Sequence, residues 1–178
     1  MKKLLIYATL VLMTSACGIP IIVDDTNRTI NNFRYDNGKV TWSYVYHMEE
    51  LDSSNVHQWF LDNFDIRNDE GNKVIGQSFT GELPIREAGL QRGNTVMMFL
   101  QPCIVYFTAE FKDNRYRVIV NEIIWNVQAA VSSNNVTFGA GSSSLSEVAT
   151  KGQGYNSTFY NYNSDTLNKL LFTLFNAE

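Results

Sequence analysis

Apolar and polar residues alternate from Lys39 to His47, with Val40, Trp42, Tyr44 and Tyr46 on one side and Thr41, Ser43 and His47 on the other, which predicts a half-buried strand. The period then changes. Val56, Trp59, Phe60 and Phe64 recur at i, i+3, i+4 and i+8 behind the capping residues Asp52-Ser53-Ser54, predicting an amphipathic helix. Asp69-Glu70-Gly71-Asn72 reads as a turn and Val74 to Leu83 as a strand broken by Gly76 and Gly81. Pro84, Gly89 and Gly93 make residues 84–95 a loop, and Val96 to Leu100 reads as a further strand before Gln101-Pro102. Cys103–Lys112 and Arg115–Trp125 form a hairpin about Asp113-Asn114, in which Phe111 faces Tyr116, Glu110 faces Arg117, Ala109 faces Val118 and Phe107 faces Val120. A slip of one residue would set Glu110 against an apolar partner, so the register is specified by the pattern. Leu167, Leu170, Leu171, Leu174 and Phe175 repeat with helical spacing after Ser164, a candidate cap.

The resulting order is strand, helix, four strands, helix. Strands in a run with helices before and after predict an α+β fold, β-α-β(4)-α, with an antiparallel sheet and both helices on one face. Two stretches carry no sustained period. Residues 17–38 read as a tether ending at Asn37-Gly38, able to reach about 70 Å when extended, with some potential to dock through Ile19, Ile21, Ile22 and Phe33. Residues 127–163 read as a polar insert within a single domain spanning 39–178; 19 of the 32 residues from 132 to 163 are Ser, Asn, Gly or Thr, and only Val136 to Phe138 and Leu145 to Val148 offer short strand-like or helical pieces.

The first residues belong to targeting rather than to the fold. Lys2 and Lys3 precede ten uncharged residues, Leu4 to Met13, too few to span a hydrocarbon core of roughly 30 Å, so residues 1–16 read as a secretory signal. Thr14-Ser15-Ala16-Cys17 resembles the lipobox of bacterial lipoproteins, although the box favours Leu where Thr14 stands, and a plain cut after Ala16 is the alternative. Cys17 and Cys103 are the only cysteines, too few for a disulfide framework, and Cys17 sits at the expected cut. Cys17 is therefore expected to carry lipid and to hold the protein on the cell envelope, with Gly18 after it pointing to the outer membrane.

Val40 to Trp125, with Trp59-Phe60 in the helix, Val74-Ile75-Gly76 after it and Lys112 to Arg117 at the hairpin, resembles an uncharacterised domain family of Bacteroides-type envelope lipoproteins. The resemblance implies a TATA-binding-protein-like fold and transfers no catalytic residues. It gives no ground for nucleic-acid binding, since fold does not fix function.

Composition narrows the chemistry. The chain has 178 residues, 44% hydrophobic and 18% charged, with a net charge of -4. Without residues 1–16, twelve basic and eighteen acidic side chains remain, a poor match for nucleic acid. Nineteen asparagines and many hydroxyls make the surface polar through amides, so steering toward a charged partner is not expected. His47 and His57 lack the spaced ligands of a metal site, Cys103 shares a face with Val105 and Phe107, and the Gly139-Ala140-Gly141 and Gly152-Gln153-Gly154 runs do not continue into phosphate-binding motifs. No metal, cofactor or catalytic constellation is expected, and a non-enzymatic binding or assembly module for another envelope component is the leading reading. An alternative is glycan binding through Tyr155, Tyr160 and Tyr162, set among Asn and Ser; against it stands closure of those rings onto the sheet. An envelope hydrolase is the remaining reading.

Overall fold

The computed structural model describes residues 20–24, 27–48, 52–112, 114–127, 131–133, 136–138 and 141–177, without side chains for 131–140. Its first element, β1 (Pro20–Ile22), is followed by β2 (Thr29–Ile30), β3 (Phe33–Asp36) and β4 (Lys39–His47). These last three form a meander with two two-residue loops. Asn31-Asn32 joins β2 to β3 and Asn37-Gly38 joins β3 to β4, all four residues at positive φ, as such tight hairpins require.

Helix α1 (Ser53–Asn63) starts at Asp52, whose carboxylate accepts the Ser54 amide at 3.2 Å, and leads into β5 (Asp65–Asp69) and β6 (Lys73–Gln77). After a long connection containing 3-10 turns at Arg92–Asn94 and Met97–Leu100 come β7 (Cys103–Lys112) and β8 (Arg115–Val127). The remainder comprises β9 (Val131–Ser133) paired with β10 (Val136–Phe138), β11 (Gly141–Ser144), α2 (Leu145–Ala149), β12 (Thr150–Lys151), β13 (Gly154–Asn156), a π-helical turn Phe159–Asn163 and α3 (Ser164–Leu174).

The main sheet runs β2-β3-β4-β8-β7-β6-β5, antiparallel throughout, and β11 adds to β8 beyond the end of β4. The hairpin register is the one its alternation predicts: Phe111 opposite Tyr116, Glu110 opposite Arg117, Ala109 opposite Val118 and Phe107 opposite Val120. The next pair is Tyr106 with Glu122, so Asn121 is an extra residue in a bulge. The bulge turns β8 and divides its outer edge between β4, last paired at Val120, and β11, first paired at Ile124.

Both long helices cover one face, as expected. Phe60 of α1 lies within 5.4–5.7 Å, centroid to centroid, of Phe64, Phe107, Phe111 and Tyr116, and stacks at 6.3 Å on Phe175 at the end of α3. Helix α3 is held to the strands through the polar tips of their aromatic residues. Trp42 Nε1 donates to Asn168 Oδ1 at 2.8 Å, Tyr46 Oη to the Phe172 carbonyl at 2.9 Å and Tyr116 Oη to the Phe175 carbonyl at 2.9 Å. Two of these acceptors are carbonyls at the helix C-terminus that have no intrahelical donor.

Five expectations change. The described part of residues 17–38 goes beyond a tether that can dock: β1 pairs with β13, and β2 and β3 belong to the main sheet, because Phe33 and Tyr35 alternate with Arg34 and Asp36 and bury one face. The second strand stops at Gln77, and Val96–Leu100 gives a 3-10 turn because its apolar run has no period of two. The insert 127–163 is largely folded; β11, α2 and β13 bring Leu145, Ala149, Tyr155 and Phe159 into the core. Ser164 is buried inside a continuous helical run, with Oγ donating to the Tyr160 carbonyl at 3.2 Å, so it is not the cap.

Candidate functional site

Cys17 lies outside the described residues. The three tyrosines expected to contact a ligand do not make one surface. Tyr155 is 0% exposed and its hydroxyl donates to the carbonyls of Arg28 at 2.9 Å and Phe33 at 3.1 Å; burial raises its pKa. Its ring stacks on Phe159 at 6.2 Å and tilts against Tyr35 at 5.6 Å. Tyr160 is half-buried against Tyr155, and Tyr162 alone of the three stands open, at 71% exposure. The polar segment thus turns its first tyrosine inward because a short strand alternates, and that alternation is masked in the sequence by the surrounding Ser and Asn.

Cys103 is 2% exposed on the helix-covered face, and desolvation pushes its thiol up to about 12. The native protein should leave Cys103 unmodified by iodoacetamide at pH 8 and react only once unfolded; rapid native alkylation would contradict the burial.

One recess gathers titratable side chains. The N-terminal turn of α1 meets the β5–β6 turn and the end of β7 in an open pocket of about 450 Å³, lined by Ser53, Ser54, His57, Gly71, Phe111 and Lys112 among others. His57 Nε2 lies 2.9 Å from Asp69 Oδ1, and the ring stands edge-on to Phe111 at 5.3 Å. Asp69 also accepts the Gly71 amide at 2.8 Å. That backbone bond first, and His57 second, hold the Asp69 carboxyl below the ordinary carboxylate range.

The two serines spend their hydroxyls on Asp52, at 3.3 and 3.4 Å, so the recess joins α1 to the β5–β6 turn rather than presenting an activated nucleophile. A depressed folded-state pKa favours the fold above the unfolded carboxyl pKa, and the gain is lost as pH falls through the folded value. Carboxyl NMR should find Asp69 titrating at lower pH than a free aspartate, and His57→Ala should move it back part of the way. An unchanged midpoint in the variant would remove His57 from the account.

The other face of the sheet carries no helix. The register sets its side chains in rows: Val45, Arg117, Glu110 and Lys73 in one, and Ser43, Ile119, Thr108, Ile75 and Asn68 in the next. A third row holds Glu122, Tyr106, Gln77 and Asp65, with the Arg67 guanidinium over the Tyr106 ring at 5.4 Å and bonded to Gln77. Val45 and Ile75 are 38% and 36% exposed.

The acids here are engaged. Glu110 Oε2 accepts Arg117 Nη2 at 2.6 Å, Asp65 accepts Gln77 at 3.0 Å, and Glu122 accepts the backbone amides of Ile123 and Leu145. By contrast, no ion pair joins Lys73, Lys112 or Arg115 to another described residue. An acidic chain therefore gathers basic side chains on one face. The polar phase of β7 and β8 was legible in their alternation; its convergence with Lys73 from β6 depends on pairing that a single sequence does not display.

Among the described residues no group of His, Cys, Asp and Glu could hold a metal, and no helix is long and apolar enough to cross a membrane. No family model and no curated protein matches the chain. Two crystal structures are similar to it. One is a TBP-like protein from Parabacteroides distasonis, 13% identical over 79% of this chain and 86% of that one, with a TM-score of 0.41. The other is a DUF4468 family protein from Bacteroides ovatus, 12% identical over 88% of this chain and 97% of that one, with a TM-score of 0.40. The fold class rests on the chain's own topology: an α+β protein with an antiparallel sheet, two helices on one face and the other face open.

Proposed function

We propose that this is an exported bacterial envelope protein, anchored in the outer membrane through lipid on Cys17, whose domain is a non-catalytic binding or assembly module. Its partner is another envelope protein that offers carboxylates to the open sheet face. The observation that carries this reading is the bare face itself, with the apolar side chains Val45, Ile75 and Ile119 set among Lys73, Lys112 and Arg115. Apolar area gives a partner something to bury, and unpaired cations select for acidic groups and speed encounter. The glycan reading loses its foundation with Tyr155 in the core.

Photo-crosslinking in cells from a probe at Val45 or Ile75 should trap one recurrent partner, and Lys73→Glu with Arg115→Glu should cut the yield severalfold while leaving the fold intact. A clean monomer under several growth conditions, or a yield unmoved by charge reversal, overturns the reading. The address has a separate test. Cys17→Ser should shift the protein from the membrane to the soluble fraction, and unchanged fractionation would exclude a lipid anchor.

A further inference from the structure

The strand nearest the anchor is fixed in the fold. Ile21 and Ile22 of β1 pair with Tyr155 and Gly154 of β13, and Ile21 packs on the core. Gly154 is glycine for a visible reason: a Cβ there would stand 1.9 Å from the Ile21 carbonyl oxygen, so the two backbones touch where any side chain would intervene. Tyr155, next to it, ties the same strand to the main sheet through Arg28 and Phe33.

Only Gly18 and Ile19 separate Cys17 from Pro20. Three extended residues reach about 11 Å at most. Acyl chains on Cys17 would lie in the hydrocarbon, and the headgroup layer above it is about 5–7 Å thick per leaflet. Resting on the lipid-anchor reading of Cys17, we infer that the β1–β13 rim is a membrane-contact surface: the domain does not swing on a tether but sits with Pro20 and Ile22 at the headgroup layer. Ile22, two residues from Pro20, is 80% exposed, an apolar side chain that the described residues leave open, and a bilayer interface supplies cover for it. The far edge of the main sheet, β5, lies six strand spacings from β2, about 29 Å away.

The buried Cys103 makes a direct test practical, because a cysteine placed at the surface is then the accessible thiol of the mature, acylated protein. Ile22→Cys and Asn68→Cys would each be labelled with an environment-sensitive fluorophore. The purified lipoproteins would then be placed in vesicles of phosphatidylethanolamine and phosphatidylglycerol containing headgroup-level spin-labelled lipid. The label at 22 should shift to the blue and lose most of its emission, while the label at 68 keeps its own. A long Gly-Ser insertion between Gly18 and Ile19 should restore emission at 22 without releasing the protein from the vesicles. A parent that floats with vesicles yet shows no quenching at 22, or quenching that survives the insertion, overturns the short-tether contact. An N-terminal peptide whose mass lacks lipid overturns the anchor reading first, and the contact with it.

Discussion

Replacing Phe60 with alanine is expected to destabilise the domain by about 3–5 kcal/mol, a large share of the roughly 5–15 kcal/mol that separates folded from unfolded states in ordinary domains. Phe60 is 0% exposed and stands where α1, the β7–β8 hairpin and the end of α3 meet, with six aromatic rings of those elements and of Phe64 around it. Removing it leaves a cavity that three elements would have to close at once, and strands fixed by a long ladder cannot move inward to do so. Urea unfolding followed by tryptophan fluorescence measures the loss. Phe172→Ala, at a residue 36% exposed, serves as comparison and should cost clearly less. Equal losses at the two positions, or a loss below about 1 kcal/mol at Phe60, would place the centre of the core elsewhere.

The second large effect is local. Gly154→Ala should unseat β1, since the new methyl would meet a backbone carbonyl at 1.9 Å and a peptide unit cannot rotate away as a side chain can. Hydrogen exchange at the amides of Ile21 and Ile22 should rise toward that of an unfolded segment, while the β7–β8 ladder keeps its protection. Gly76→Ala makes an instructive contrast. Its methyl would meet Ile66 Cδ1 at 2.8 Å, which can give, but also the Asp65 carbonyl at 2.9 Å, which cannot, so it should loosen β5 from β6 and leave β1 untouched. Undiminished protection of Ile21 and Ile22 in Gly154→Ala would mean that β1 is not held by this close approach.

The elements legible in the sequence were those whose pattern is local and long. The β7–β8 register follows from ten residues of alternation on each side of a short turn, and α1 and α3 from apolar residues at 3.6 spacing. What escaped was short or polar. β5 reads Asp-Ile-Arg-Asn-Asp and buries little, as an edge strand can, so no apolar alternation announces it. β3 did carry a signal, Phe33 and Tyr35 before Asn37-Gly38, but four residues inside a stretch without a sustained period are outweighed by their surroundings. At the candidate sites, Cys103 and the solvated ends of the hairpin were readable from alternation alone. The pairing of His57 with Asp69 was not, because it joins a helix to a turn twelve residues on, and neither was the gathering of basic residues, which needs the order of four strands.

The two outermost strands of the main sheet bear on how copies of the chain meet when crowded. β2 is two residues long, and β5 places a carboxylate at each end and a bulge beside Arg67. A neighbouring molecule seeking to extend the sheet would find at one border too few peptide groups to grip and at the other like charges set against like and a ladder out of step. Crowded copies of the chain can therefore collide edge to edge without templating one another, leaving association to the faces.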